Sequence, residues 1–322
     1  MSEEILLDIR RLSTAFEVED VIIPILKDIT FRIHSGESLG VVGESGSGKS
    51  VLAHAIMGLL PSNAQVYNGE IIYEGRDLLK LNPKKRRQLR GDRMAMIFQE
   101  PMTSLNPVYT VGSQVVELIR AHRKISKKEA LAWAVDIFEK VGIPQSNDFA
   151  NRYPHELSGG MRQRVVIALA IALSPVLLLA DEPTTALDVS IQAQILELIQ
   201  SLQDNMKMAT MLITHDLGVV AGMCRNVLVM YAGQVVETGE TEELFKFPKH
   251  PYTKALLKSI PKLDQNTEFL ETIKGMVPHP QRMPEGCRFA PRCEVAMDQC
   301  HREEPDMHSF SEYAGVKCWL YQ

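Results

Sequence analysis

The stretch Leu39-Gly40-Val41-Val42-Gly43-Glu44-Ser45-Gly46-Ser47-Gly48-Lys49-Ser50-Val51 decides the fold. Its first four residues form a short, mostly apolar run and read as a strand. Gly43 to Ser50 match G-x-x-x-x-G-K-[ST], and Val51 to Leu60 is an apolar run that reads as a helix. Strand, glycine-rich loop and helix in that order make a phosphate-binding device. The glycines let backbone N–H groups wrap phosphate oxygens, and the positive end of the helix points at them. Lys49 supplies a charge to the β- and γ-phosphates, and the Ser50 hydroxyl can ligate Mg2+. Residues Gly43, Glu44, Ser45, Gly46, Ser47, Gly48, Lys49, Ser50 and Val51 are therefore the expected nucleotide-binding loop.

Working outward, Val176-Leu177-Leu178-Leu179-Ala180-Asp181-Glu182 is an apolar strand ending in two carboxylates. In a P-loop ATPase, Asp181 would hold Mg2+ and Glu182 would polarise the attacking water as general base. Leu6–Arg10, Asp28–Ile33, residues 69–76 and Met94–Phe98 also read as strands, with a loop from Glu17 to Pro24. From about residue 110 to 173 the pattern turns helical. Val115, Leu118 and Ile119 share one face, and Leu131, Val135 and Phe138 share another. An amphipathic helix through Ile191, Ile195, Leu198, Ile199 and Leu202 precedes the strand Thr210–Thr214. The reading is an α/β fold: a P-loop ATPase core with a mostly parallel sheet and an antiparallel β part. A helical subdomain is inserted at about 100–173, and a small Cys-rich extension follows.

The composition agrees. The chain has 322 residues, 45% hydrophobic, with a formal charge of −5, which excludes disordered and collagen-like classes. No secretory h-region opens it, and the most apolar stretch, Val165–Ala180, is broken by Ser174-Pro175. A membrane-crossing helix needs about 20 apolar residues, so that stretch reads as core. A cytosolic setting is expected. The basic run Lys84–Arg90 follows Asn82-Pro83 and carries no interleaved aromatics, so it reads as a solvated helix face and no nucleic-acid partner is expected. Cys224, alone in an apolar segment, reads as buried and inert.

Leu157-Ser158-Gly159-Gly160-Met161-Arg162-Gln163-Arg164 reads as a loop feeding a helix, with Ser158 as N-cap. Small residues at a helix N-terminus are a second phosphate device. Two devices in one chain do not obviously serve one nucleotide. Here the sequence resembles the nucleotide-binding subunit of an ATP-binding-cassette (ABC) transporter, from residue 5 to about 240. Leu157–Met161 resembles the LSGGQ signature and Phe98-Gln99-Glu100 the Q-loop. Ala186-Leu187-Asp188 resembles the D-loop and Ile213-Thr214-His215-Asp216 the H-loop.

The resemblance implies a head-to-tail pair of cassettes in which Ser158, Gly159, Gly160 and Asp188 serve the partner's ATP. It implies that His215 contacts the γ-phosphate, and that Gln99 reaches Mg2+ with Ser50 and Asp181 and senses the transmembrane partner. Met161 departs from the signature glutamine, and Gln163 is the candidate substitute. Phe16 is the candidate for stacking on adenine.

From Glu237 onward the chain resembles the extension of dipeptide and oligopeptide permease subunits, as do Ala186–Ile195 and Asn106-Pro107. The expected function is ATP hydrolysis energising di- or oligopeptide import. Nickel or glutathione import is the alternative within the family, and a soluble cassette ATPase of translation or DNA repair is the alternative outside it. The implied partners are a second, paralogous ATPase subunit, two transmembrane permease subunits and, indirectly, an extracytoplasmic substrate-binding protein. The implied place is the cytoplasmic face of the inner membrane. The boundaries read as 1–240 for the cassette and 241–322 for the extension.

Four of the five cysteines, Cys287, Cys293, Cys300 and Cys318, lie in the extension, separated by five, six and seventeen residues. Four thiolates suggest a soft-metal site. The tight C-x₂₋₄-C knuckle of zinc is absent, and the wider spacing suits an iron–sulfur cluster. Zinc, with His301 or His308 as substitute ligands, and free thiols or disulfides remain open readings. The resemblance implies a 4Fe–4S cluster, with a structural staple as its simplest role.

Overall fold

The computed structural model describes residues 4–99, 104–185, 187–259 and 273–322. Glu100 and Ala186, read above as parts of the Q-loop and D-loop, lie outside the described residues. The chain divides into two compact units. One gathers residues 4–33, 38–79 and 212–322, and the other residues 34–37 and 80–211.

The first unit opens with two long strands, β1 (Ile5–Val18) and β2 (Val21–His34). The loop expected at Glu17–Pro24 is instead a tight hairpin. Glu19 and Asp20 both take positive φ, 50° and 62°, as a type I′ turn requires. Neither glycine nor asparagine marks that turn, and Pro24 suggested a break. Pro24 lies in β2, an edge strand of its sheet, the position where a strand tolerates proline. After β3 (Ser38–Val42), helix α1 (Lys49–Met57), β4 (Ala64–Tyr73) and β5 (Arg76–Asp77), the sheet order is β2-β1-β4-β5. β4 runs antiparallel to β1, with Leu7 opposite Tyr73 and Ile9 opposite Ile71. The strand expected at 69–76 thus begins earlier and ends at Tyr73, where Glu74 (φ 47°) and Gly75 (φ 73°) turn the chain.

The second unit holds α2 (Pro83–Leu89), β6 (Met94–Ile97), α3 (Val111–His122), α4 (Lys127–Lys140), α5 (Ser146–Phe149), α6 (Gly159–Ile171), β7 (Leu177–Asp181) and α7 (Val189–Met206). Asn82 caps α2 by accepting from the Lys85 N–H, and no residue of that helix is buried. The solvated-face reading of the basic run holds. A capping box between Ser126 and Glu129 starts α4. Its buried face is Ala130, Ala134, Val135, Ile137 and Phe138, whereas Leu131 is 42% exposed. The apolar stripe is therefore set by alanines that periodicity alone underweighted. β6 and β7 pair in parallel, Met94 with Leu177 through Ile97 with Ala180. All five residues of β7 are buried, as a strand covered on both faces requires. The Ala209 N–H donates to the Val176 carbonyl at 2.8 Å, bringing β8 (Ala209–Ile213) beside β7. The division between the units falls within β8.

Back in the first unit come α8 (Leu217–Met223), β9 (Asn226–Tyr231), β10 (Gln234–Glu240), α9 (Thr241–Lys246), α10 (Pro251–Lys258) and α11 (Asp298–Arg302). The short strands β11 (His308–Ser309) and β12 (Gly315–Val316) follow. β3 pairs in parallel with β9, and β9 pairs antiparallel with β10. The extension then adds to this sheet: Val316 of β12 lies opposite Glu237 of β10, and β11 pairs with β12. Cys224 is buried, and desolvation pushes its thiol up to about 12, in line with an inert core residue. Among the described residues, no helix is long and apolar enough to cross a membrane.

Candidate functional site

The nucleotide-loop residues, Phe16 and His215 lie in the first unit. Gln99, Ser158, Gly159, Gly160, Asp181, Glu182 and Asp188 lie in the second.

β3 delivers the chain into the loop at Gly43 (φ 154°), where an added Cβ would sit 2.2 Å from the Met230 carbonyl oxygen and 2.8 Å from Ser47 Oγ. Only glycine fits that crevice. Gly48 takes φ 99° as the N-cap of α1, a left-handed conformation that again favours glycine. Lys49, the first residue of α1, is 6% exposed. Its Nζ donates to the carbonyls of Gly43 (2.7 Å) and Glu44 (3.0 Å) and to Ser47 Oγ (3.3 Å). The ammonium is thereby held over the loop it belongs to. Ser45 and Gly46 are exposed, and Ser50 is half-buried one residue into α1.

Glu44 is gripped by side chains from far along the chain. Its N–H donates to Tyr252 Oη at 2.8 Å, and its carboxylate accepts from Arg292 Nη1 and Nη2 at 2.6 and 2.9 Å. Sequence reading missed both partners. Arg292 is 248 positions away, and nothing local marks it.

His215 is exposed just beyond β8, and the Asp216 carboxylate caps α8 by accepting from the N–H groups of Gly218 and Val219. Phe16, half-buried near the end of β1, stands opposite Ala64 of β4.

In the second unit, Asp181 closes β7 and is 2% exposed. Glu182 follows with φ 45°, a left-handed conformation that a non-glycine residue adopts at a cost of about 1–3 kcal/mol. Its Oε2 accepts from Gln99 Nε2 (2.9 Å) and from Thr185 Oγ1 (2.9 Å). The structure thus joins Gln99 to Glu182. It also adds Thr185, which the sequence reading passed over although it stands only three residues downstream.

Ser158 caps α6, its Oγ accepting from the Met161 N–H at 3.3 Å, and remains exposed with Gly159. A Cβ on Gly160 would lie 2.9 Å from Ile191 Cγ2, so the signature backbone packs against the start of α7. Asp188 is exposed at the N-cap of α7. Gln163 corrects an expectation. It is fully buried, and its Nε2 donates to the Pro183 carbonyl at 2.6 Å. It ties α6 to the turn after β7 and is not on the surface as a substitute for the signature glutamine.

In the extension, Cys287, Cys293, Cys300 and Cys318 all line one narrow recess, with a free volume of only about 10 Å3, together with His250, Phe289 and Trp319. All four thiols are free, so the disulfide reading fails. Burial pushes Cys287 up to about 11. Among the described residues, no group of three or more His, Cys, Asp or Glu is placed to hold a metal ion, so this arrangement does not support the expected iron–sulfur cluster. Neither His301 nor His308 lines the recess, which removes the support for a zinc site completed by them. His250 does line it. Its Nδ1 is engaged within the chain, accepting from the Tyr252 N–H at 3.0 Å, and desolvation holds the ring down at about 3, which keeps it neutral.

Two family models match the chain: "ABC transporter" over residues 26–185 and "Oligopeptide/dipeptide transporter, C-terminal region" over residues 236–300. The oligopeptide transport ATP-binding protein AppD of Bacillus subtilis is 47% identical, the match covering 98% of this chain and 97% of that protein. The dipeptide transport ATP-binding protein DppD of Escherichia coli is 48% identical over 97% of this chain and 96% of its own length. A dimeric ATP-binding cassette solved in a post-hydrolysis state with ADP and Pi superposes with a TM-score of 0.66 at 26% identity, covering 73% of this chain and 99% of that one.

Proposed function

This chain belongs to the ABC transporter family of ATP-hydrolysing subunits, and from that premise we propose that it energises the import of di- or oligopeptides. The observation that carries the substrate class is the peptide-transporter region at residues 236–300, C-terminal to the cassette match at residues 26–185. Near full-length likeness to relatives named for oligopeptide and dipeptide transport supports it.

We assign the chemistry as follows. Backbone N–H groups of Gly43–Val51 cradle the phosphates, and Lys49 neutralises their charge. Ser50, Gln99 and Asp181 offer hard oxygen donors of the kind Mg2+ prefers, and the ion would offset charge on the phosphate oxygens. Glu182 is the general base for water. Its carboxylate is aimed by Gln99 and Thr185, and its left-handed backbone is the strain that functional positions tend to store. His215 contacts the γ-phosphate, and Phe16 stacks on adenine. Ser158, Gly159, Gly160 and Asp188, exposed or half-buried, serve the nucleotide of a second cassette, a paralogue of this chain. Two permease subunits and an extracytoplasmic binding protein complete the importer, with this subunit peripheral on the cytoplasmic face.

We base the iron–sulfur reading of the four cysteines on their donor chemistry and on the resemblance alone. They are four soft donors that line one shared recess. Cys287, Cys293, Cys300 and Cys318 would hold a 4Fe–4S cluster, which would staple the extension.

The test of the ATPase assignment is Glu182→Gln. Turnover should fall about a thousandfold while ATP stays bound, because the base is lost and the loop is intact. Unchanged phosphate release would remove Glu182 as base. Peptide-stimulated hydrolysis in vesicles carrying the permease subunits tests the substrate. Stimulation by nickel or glutathione instead would reassign it.

A further inference from the structure

We propose that Arg292, carried on the cysteine-bearing segment of the extension, is a positioning residue for the phosphate loop and acts through Glu44. The inference rests on the reading of Gly43–Val51 as the ATP site.

The guanidinium is a fixed point. The Arg292 side chain is 4% exposed. Two of its nitrogens fork onto the two carboxylate oxygens of Glu44, which sets direction as well as distance. The guanidinium is held in turn by its own donors. Nε donates to the Lys274 carbonyl (2.9 Å) and Nη2 to the Gly275 carbonyl (3.2 Å). The Tyr231 ring centroid lies 5.7 Å from Cζ, and Tyr231 Oη accepts from Nη1 at 3.4 Å.

Glu44 is then held at three points: N–H, carbonyl and carboxylate. Arg292 takes its carboxylate, Tyr252 Oη takes its N–H, and its carbonyl accepts from Lys49 Nζ. Moving Glu44 moves a resting acceptor of Lys49. It also presses on Gly43, which has no room beside the Met230 carbonyl. The same short segment supplies both supports. Phe289, two residues after Cys287, packs on Tyr231 (5.2 Å between centroids) and on Tyr252 (5.3 Å). Arg292 immediately precedes Cys293. Whatever sets the spacing of Cys287 and Cys293 therefore sets where Arg292 and Tyr252 stand. The alternative is an ion pair that merely staples the extension. Stapling alone would lower the melting temperature and leave nucleotide affinity untouched.

The experiment measures binding of the fluorescent analogue mant-ATP to the full-length chain, with thermal melts in parallel. Arg292→Gln should weaken binding about tenfold, the scale of one charge-assisted fork. Arg292→Lys should recover part of that loss, since an ammonium pairs with one oxygen but cannot fork. Glu44→Ala should match Arg292→Gln, and the double variant should be no weaker than either single, because all three remove one contact. In steady-state hydrolysis, Arg292→Gln should raise KM for ATP more than it lowers kcat. Should Arg292→Gln melt before binding can be read, Tyr252→Phe removes only a hydroxyl and should weaken binding about threefold. Wild-type affinity in these variants, or additive losses in the double variant, would overturn the positioning role alone. A wild-type chain that fails to bind mant-ATP would overturn the ATP reading and this role with it.

Discussion

The phosphate loop and the cysteine recess both gather polar side chains around a small space, but they are built in opposite ways. The loop is eight consecutive residues whose shape is dictated by their neighbours. Gly43 is confined by the Met230 carbonyl, Gly48 turns the chain into α1, and Lys49 folds back onto Gly43 and Glu44. The recess draws on thiols separated by five, six and seventeen residues. They meet because β12 pairs with β10 and Phe289 lodges among Tyr231, Tyr252 and His250. A local device can be read from a motif. An assembled one depends on long-range packing, and a motif shows only its ingredients.

Gly43→Ala is the strongest way to break the local side of this contrast. The new Cβ would meet a backbone oxygen at 2.2 Å, so the loop or β9 must move. A displacement of about 1 Å can cost about a hundredfold in rate, and overpacking adds about 1–3 kcal/mol of destabilisation. Phosphate release should fall by at least that factor. Full activity in this variant would mean that the loop is less confined than its geometry states.

Cys300→Ser should have a smaller effect and test the assembled side. Cys300 is buried, its carbonyl accepts from the Cys287 N–H at 2.8 Å, and its Sγ lines the recess. If the recess holds a cluster, purified protein should lose bound iron and sulfide, and the melting transition should drop by the equivalent of about 1–3 kcal/mol. Equal iron content in wild type and variant would remove Cys300 as a ligand.

The same contrast explains what was legible beforehand. The Lys49 loop, the strand into Asp181-Glu182 and the helical insert follow from local pattern, because each is set by residues close in sequence. The β1–β2 hairpin is not legible in the sequence because Glu19-Asp20 adopts a left-handed pair without glycine or asparagine. The place of Gln163 is not legible either, because its burial depends on how α6 meets the turn at Pro183. Arg292 and Tyr252 were invisible because their roles exist only once the extension is seated, 248 and 208 positions from Glu44.

Glu304 offers the smallest test and a pH-dependent one. It joins the extension to the sheet, accepting from Lys27 Nζ (2.6 Å), Lys317 Nζ (2.5 Å) and Gln234 Nε2 (2.6 Å). Burial opposes its charge, yet these three donors win and hold the carboxyl down at about 2 from 4.5. A depressed folded-state pKa stabilises the fold above the unfolded value, and that contribution is lost as pH falls through the folded one. With its side chain 20% exposed, solvent screening trims the linkage to about 1–2 kcal/mol. Glu304→Gln should therefore melt about 2–5 °C below wild type at pH 7. The two curves should converge between about pH 4.5 and pH 2, where the wild-type carboxylate also takes up a proton. A gap that stays constant down to pH 3 would show that packing, and not charge, joins the extension at this point. The Glu304 contact would then seat the extension by shape, as the Met230 carbonyl confines Gly43 in the loop.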